Sequence, residues 1–168
     1  MTEVASIPDK IHIIGIGGAA TSGLAMLLKA HGHQVSGSDQ TDRLKDRLLH
    51  AGIQFFTGHN PRNLPQDSGL VIRSLAIPDD NEEVVEAKRL EIEVLLYSEV
   101  LGRLSSEGHA IAVSGTHGKT STTGILTSIM MAAGRDPSVL FGGELESLGG
   151  RNWRNGSGED FIVEACEY

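Results

Sequence analysis

Gly115-Thr116-His117-Gly118-Lys119-Thr120 combines glycines, a lysine and a hydroxyl at the spacing a phosphate loop uses. The backbone N–H groups of Thr116 to Lys119 can form an anion nest. Lys119 can reach β- and γ-phosphates, and the Thr120 hydroxyl, followed by Ser121, can ligate Mg²⁺. The general pattern G-x-x-x-x-G-K-[ST] asks for glycine at position 113, where Val113 stands, so only the shortened G-x-x-G-K-T form is present. A glycine-rich turn with an exposed lysine is the blander alternative. The apolar run Ala110-Ile111-Ala112-Val113 before the loop and the helical pattern after it favour the phosphate reading. Further on, Val163-Glu164-Ala165-Cys166-Glu167 presents a carboxylate where an apolar strand runs out, the place for a Mg²⁺ ligand beside such a loop. Glu164 fits that role better than Glu167, which lies towards the end of the sequence; a solvated acid at a strand end is the alternative.

A second glycine loop lies near the start. Gly15, Gly17 and Ala20 satisfy G-x-G-x-x-A, with Gly18 added. Glycines here let the backbone approach a diphosphate at the N-terminus of the following helix. Asp39 follows at about the separation at which an acid meets a ribose in dinucleotide folds, so this loop alone is compatible with NAD. The alternative for Asp39 is a helix cap. His59, in Gly58-His59-Asn60, follows a strand end and could face a ligand. The seven histidines are otherwise spread out, and His31 and His33 flank Gly32 at a helix end, where a structural role suffices.

The elements that must hold these groups follow from hydrophobic spacing. Strands are predicted at Lys10–Ile14, Gln34–Ser36, Ile53–Phe56, Leu70–Ile72 and Glu93–Leu96. Helices are predicted from Thr21 to Gly32, over Asp42–His50, from Glu82 to about Leu90, and briefly around Val100–Leu104. The acids Glu82 and Glu83 suit the positive end of their helix dipole. This alternation gives an α/β fold with a Rossmann-like parallel sheet. Ser105-Ser106-Glu107-Gly108 reads as a linker, dividing residues 1–107 from residues 108–168. The second unit starts with the strand Ala110–Val113, the phosphate loop and a helix carrying Ile125, Leu126, Ile129 and Met130. Strands Val139–Phe141 and Asp160–Glu164 follow, separated by a glycine-rich loop from Gly142 to Gly158. That is the start of a P-loop α/β domain with too little cover for its sheet, and it is expected to be truncated.

Composition narrows the function classes. A net charge of −8 across 168 residues argues against broad nucleic-acid binding. No apolar run approaches membrane-spanning length and no leader pattern opens the chain, so a cytoplasmic location without membrane insertion is expected. The single cysteine, Cys166, excludes an internal disulfide and reads as a small buried hydrophobe.

Taken together, Gly15-Ile16-Gly17-Gly18, Ser36-Gly37-Ser38-Asp39, Gly58-His59, Ser74-Leu75-Ala76-Ile77, Gly115-Thr116-His117-Gly118-Lys119-Thr120 and Val163-Glu164-Ala165-Cys166-Glu167 resemble the Mur ligase family. The shortened second loop is that family's own version. The resemblance implies a UDP-binding first domain and an ATP-binding central domain. It also implies ADP-forming attachment of L-alanine to the carboxylate of UDP-N-acetylmuramate through an acyl phosphate, in peptidoglycan precursor synthesis. On it, Gly15, Gly17 and Gly18 cradle the UDP diphosphate, while Asp39, His59 and Ser74 lie beside the same substrate. Gly115, Thr116, His117, Gly118, Lys119, Thr120 and Ser121 hold ATP, Lys119 acts catalytically on the transferred phosphoryl group, and Thr120 and Glu164 serve Mg²⁺. Ala20 and Thr21 replace the usual glycine and methionine, and Arg73 and Leu75 bracket Ser74 where smaller or polar residues are usual. A relative that attaches a preformed murein peptide and an NAD-dependent oxidoreductase are the competing readings. A truncated chain is expected to bind ligands without ligating them.

Overall fold

The computed structural model describes residues 6–106, 108–145 and 148–165. Cys166 and Glu167 lie outside the described residues. The first sheet comprises β1 (Lys10–Ile14), β2 (Gln34–Asp39), β3 (Gln54–Thr57), β4 (Leu70–Arg73) and β5 (Glu93–Leu96) in the order β3-β2-β1-β4-β5. All four pairings are parallel. The crossovers carry α1 (Ala19–Ala30), α2 (Lys45–His50) and α3 (Glu82–Arg89), with a 3₁₀ turn at Pro61–Asn63, and α4 (Tyr97–Ser106) leads from β5 to the second sheet. This is the Rossmann-like arrangement that the alternation predicts. Its strand order reverses between β1 and β4, which opens a crevice at the carboxyl ends of those strands.

The second sheet has the order β6-β9-β7-β8, from β6 (His109–Val113), β7 (Ser138–Leu145), β8 (Arg151–Arg154) and β9 (Asp160–Glu164). The helix α5 (Lys119–Ala132) follows β6. Here β6, β9 and β7 run parallel, while β8 returns antiparallel along β7. Within the glycine-rich stretch Gly142–Gly158, where no element is predicted, β7 continues to Leu145 and β8 forms. Arg151-Asn152-Trp153-Arg154 lacks the apolar alternation that marks a strand, and tertiary contacts hold it instead. Asn152 Nδ2 donates to Ala19 O, and Arg154 reaches both Pro137 O and the Asp136 carboxylate.

Several other boundaries differ from the prediction: β2 runs on to Asp39, α1 begins at Ala19 and β7 spans Ser138–Leu145. α2 begins at Lys45, because Asp42 is spent on a turn: its carbonyl accepts from Lys45 N and its Oδ1 from Thr57 Oγ1 at 2.6 Å. α4 starts directly from β5, with Leu96 N–H bonded to Glu99 Oε2, and continues through Ser106 into the predicted linker.

The core explains why α1 differs from a surface helix. Beyond the predicted Leu24, Leu27 and Leu28, the helix also buries Thr21, Ser22, Gly23 and Ala25. One hydrophobic cluster joins these leucines to Ile11 and Ile13 of the first sheet and to Leu140, Phe161 and Val163 of the second. The helix is therefore sandwiched, and its small residues permit the close approach. The opposite face of the second sheet, through Val139, Phe141 and Ile162, packs on Leu126 and Met130 of α5. Ile125 and Ile129 point outward, 63% and 60% exposed, so two of the four predicted apolar positions of α5 have no cover among the described residues.

Candidate functional site

The first loop is built on the carboxyl ends of neighbouring strands. As the chain leaves β1, Gly15 N–H and Ile16 N–H both donate to Ser38 O of β2, at 2.8 and 3.1 Å. Thr21 Oγ1 closes the loop from the helix side by donating to Gly15 O at 2.6 Å. Threonine at this position thus acts as a latch, and a Cβ added at Gly18 would lie 2.8 Å from that hydroxyl.

Asp39 braces the loop. Its Oδ2 accepts from Gly17 N–H at 2.9 Å, and its Oδ1 accepts from Thr41 N–H at 2.9 Å and Thr41 Oγ1 at 3.1 Å. The carboxylate thus caps the turn after β2 and also holds a loop amide. Ser74, at the end of β4, has its hydroxyl 3.4 Å from where a Gly15 side chain would begin, across the strand-order reversal. The neighbouring Arg73 turns away: it donates to Ile77 O and pairs with Asp79, while Leu75 is exposed.

His59 follows β3, and its Nδ1 lies 3.0 Å from Ser38 Oγ. Gly15, Gly17, Gly18, Asp39, His59 and Ser74 therefore gather on the loops that leave the carboxyl ends of β1 to β4.

Sequence reading missed the group beneath this rim. Glu83, in the first turn of α3, and His12 of β1 both have fully buried side chains. Glu83 accepts from Ser38 Oγ at 2.5 Å, from Asn60 N–H at 2.9 Å and from Asn63 Nδ2 at 2.8 Å, with His12 Nε2 at 3.3 Å. His12 Nδ1 contacts Ser36 Oγ at 2.9 Å. Burial pushes the Glu83 carboxyl upward, but the hydrogen bonds from His12, Ser38 and Asn60 outweigh it, and the net shift is down. The one signal in the sequence is a histidine at an inward position of the apolar run Lys10–Ile14.

The second loop leaves β6, and Gly118, the residue before α5, has φ +77°, a left-handed conformation that glycine adopts without strain. No backbone partner is found among the described residues for the N–H groups of Thr116 to Thr120, most of which sit in an exposed stretch. Lys119 Nζ donates to Gly115 O at 2.5 Å, folding over the loop. Thr120 Oγ1 donates to Glu164 Oε2 at 3.3 Å, and Gly142 N–H donates to the same oxygen at 3.0 Å. Glu164 is 4% exposed and its other oxygen, Oε1, is buried without a partner. A buried carboxylate oxygen lacking a donor beside a phosphate-loop hydroxyl is what a hard divalent cation would complete. The predicted pair Thr120 and Glu164 is therefore in contact. The two loops are not: α1 and α5 lie on opposite faces of the second sheet, and among the described residues no hydrogen bond or ion pair joins one loop to the other.

Known proteins match this arrangement. Residues 10–109 match the family model described as Mur ligase family, catalytic domain. A UDP-N-acetylmuramate--L-alanine ligase of Clostridium beijerinckii is 46% identical over 162 residues, covering 95% of this chain and 35% of that protein. Among solved structures, UDP-N-acetylmuramate-alanine ligase from Thermotoga maritima superposes with TM-score 0.81 at 32% identity, over 92% of this chain and 37% of that one. A UDP-N-acetylmuramate:L-alanyl-gamma-D-glutamyl-meso-diaminopimelate ligase from Neisseria meningitides gives TM-score 0.84 at 28% identity, over 95% of this chain and 53% of that one. The chain spans about a third of the length of the curated relatives it matches. No helix among the described residues is long and apolar enough to cross a membrane.

Proposed function

Because the chain belongs to the Mur ligase family, we propose that it forms the nucleotide-sugar and ATP-loop portion of an ATP-dependent ligase that joins L-alanine to UDP-N-acetylmuramate. Residues 1–107 form the UDP-sugar unit and residues 108–168 the start of the ATP unit. Gly15, Gly17 and Gly18 receive the diphosphate at the β1–β4 crevice, with Asp39, His59 and Ser74 around the remainder of that substrate. Gly115 to Ser121 receive ATP. Thr120 and Glu164 would hold Mg²⁺, which when bound neutralises phosphate charge.

The observation that carries this reading is the contact of Thr120, the residue after Lys119, with the partly unpartnered Glu164. An NAD-dependent oxidoreductase gives that group no task. In the proposed reaction the muramate carboxylate oxygen attacks the γ-phosphorus of ATP, ADP leaves, and an acyl phosphate forms. The alanine amine then attacks the acyl carbon, an amide bond forms, and inorganic phosphate departs. Lys119 stabilises the charge on the transferred phosphoryl group.

Calorimetric titration of the 168-residue chain tests the assignment. Binding of UDP-N-acetylmuramate and of Mg·ATP, with no binding of NADH, is expected; NADH binding without the other two would overturn it. Ligation is not expected from these residues alone, since about two thirds of the relatives' length has no counterpart in them. The murein-peptide reading draws on the Neisseria meningitides superposition. Assay of a protein of the relatives' full length with L-alanine and with a tripeptide distinguishes the two.

A further inference from the structure

Ser38 stands at the junction of the buried network and the rim. Its carbonyl holds the first loop through Gly15 and Ile16, and its hydroxyl touches both Glu83 and His59. Glu83 has a donor for each of its four acceptor positions: Ser38 Oγ and His12 Nε2 at Oε2, Asn60 N–H and Asn63 Nδ2 at Oε1. Such a carboxylate is ionised and can only accept.

A hydroxyl carries one proton, and Ser38 gives its proton to Glu83 at 2.5 Å. The 3.0 Å contact between Ser38 Oγ and His59 Nδ1 must then run from the ring to the hydroxyl. Neutral His59 therefore carries its proton on Nδ1 and presents Nε2 as an acceptor. Nε2 makes no hydrogen bond among the described residues and is not among the buried unpartnered atoms, so it opens to the side where the side chain is 10% exposed.

The geometry points to Glu83 and Ser38 as positioning residues that fix the tautomer of His59, making it a reader of a neutral hydrogen-bond donor on the ligand, a hydroxyl or an imide N–H, rather than a phosphate contact. The ligand half of this inference rests on the UDP-sugar reading of the first loop. The tautomer half stands without it. The result is a division of labour: the glycine loop at the start of α1 faces the diphosphate, and His59 reports on the nucleoside or the sugar.

The test is ring-nitrogen NMR of the ¹⁵N-labelled chain at about pH 8, where an ordinary imidazole is neutral, with His59 assigned by its loss in His59→Gln. Protonated Nδ1 and bare Nε2 are expected. In Glu83→Gln the new amide N–H faces Ser38, whose hydroxyl then accepts it and donates to His59 Nδ1. The ring proton should move to Nε2, and affinity for the UDP-sugar should fall about tenfold. Ser38→Ala is the second variant and should release the enforced tautomer while the remaining amide spectrum stays folded. A native ring protonated on Nε2, or one tautomer shared by the native chain, Glu83→Gln and Ser38→Ala, overturns the inference.

Titrations with uridine and with UDP-N-acetylmuramate then locate the donor. A shift of Nε2 with uridine assigns it to the nucleoside, and a shift with the UDP-sugar alone assigns it to the sugar; either supports the proposal. Loop-amide shifts with Nε2 unmoved overturn its ligand half. If no loop amide responds to any of these ligands, the UDP-sugar reading itself fails, while the tautomer result is unaffected.

Discussion

Gly17→Ala isolates the bracing of the first loop. A Cβ on Gly17 would lie 2.7 Å from Asp39 Cγ and 2.8 Å from Asp39 Oδ2, and the three nearest atoms all belong to that one side chain. The backbone itself accepts alanine, since Gly17 is not among the positive-φ glycines. The obstacle is Asp39, which has to swing aside and give up its 2.9 Å bond from Gly17 N–H. Hydrogen bonds to charged groups contribute ~1.5–3 kcal/mol, and a partly buried one belongs near the lower end, so a loss of roughly 1.5–2 kcal/mol is expected. Urea unfolding at pH 7, followed by circular dichroism, measures that loss. Calorimetry with UDP-N-acetylmuramate should show affinity weakened about tenfold if the braced loop is the binding form. Asp39→Ala removes obstacle and bond together, so Gly17→Ala in that background should cost no more than about 0.5 kcal/mol. Equal costs in the two backgrounds would refute the reasoning, because the alanine would then be acting on something other than Asp39.

Further expectations follow from the buried and exposed groups. The Glu83 carboxyl is held below its ordinary value of 4.5, so its stabilisation is complete above that pH and is lost as pH falls through the lower folded value. Urea midpoints from pH 7 to pH 3 should show this acid-side loss, flattened in Glu83→Gln. Lys119→Ala and Glu164→Gln should each weaken Mg·ATP binding in calorimetry while leaving UDP-sugar affinity unchanged, since the two loop-bearing helices lie on opposite faces of the second sheet. Ile129→Lys, at a position 60% exposed, should change unfolding free energy by less than about 0.5 kcal/mol and reduce self-association in sedimentation at high concentration.

Much of the fold could be read from local signals. The apolar runs Lys10–Ile14, Leu70–Ile72 and Asp160–Glu164 are buried strands with little polar interruption, and Gly32 ends its helix through a positive φ. The strand at Arg151–Arg154 was not legible, because its partners, Ala19, Pro137 and Asp136, are chosen by tertiary folding and leave no periodic trace. The two glycine loops and the Thr120–Glu164 contact were visible because a tight strand-to-helix turn and a carboxylate at a strand's end restrict residue types at fixed spacing. Glu83 was not, because an acid in the first turn of a helix has an ordinary explanation in the dipole. Only the arrival of His12, Ser38, Asn60 and Asn63 from separate segments gives it another.

The placement of α1 between the sheets has a consequence for how the chain comes apart. Leu24, Leu27 and Leu28 owe their burial to Ile11 and Ile13 on one side and to Leu140, Phe161 and Val163 on the other. Neither sheet can open fully without exposing the helix that carries the first loop. Amide exchange in α1 should therefore follow the less stable of the two sheets, coupling protection of the first loop to the integrity of strands more than a hundred residues further along the chain.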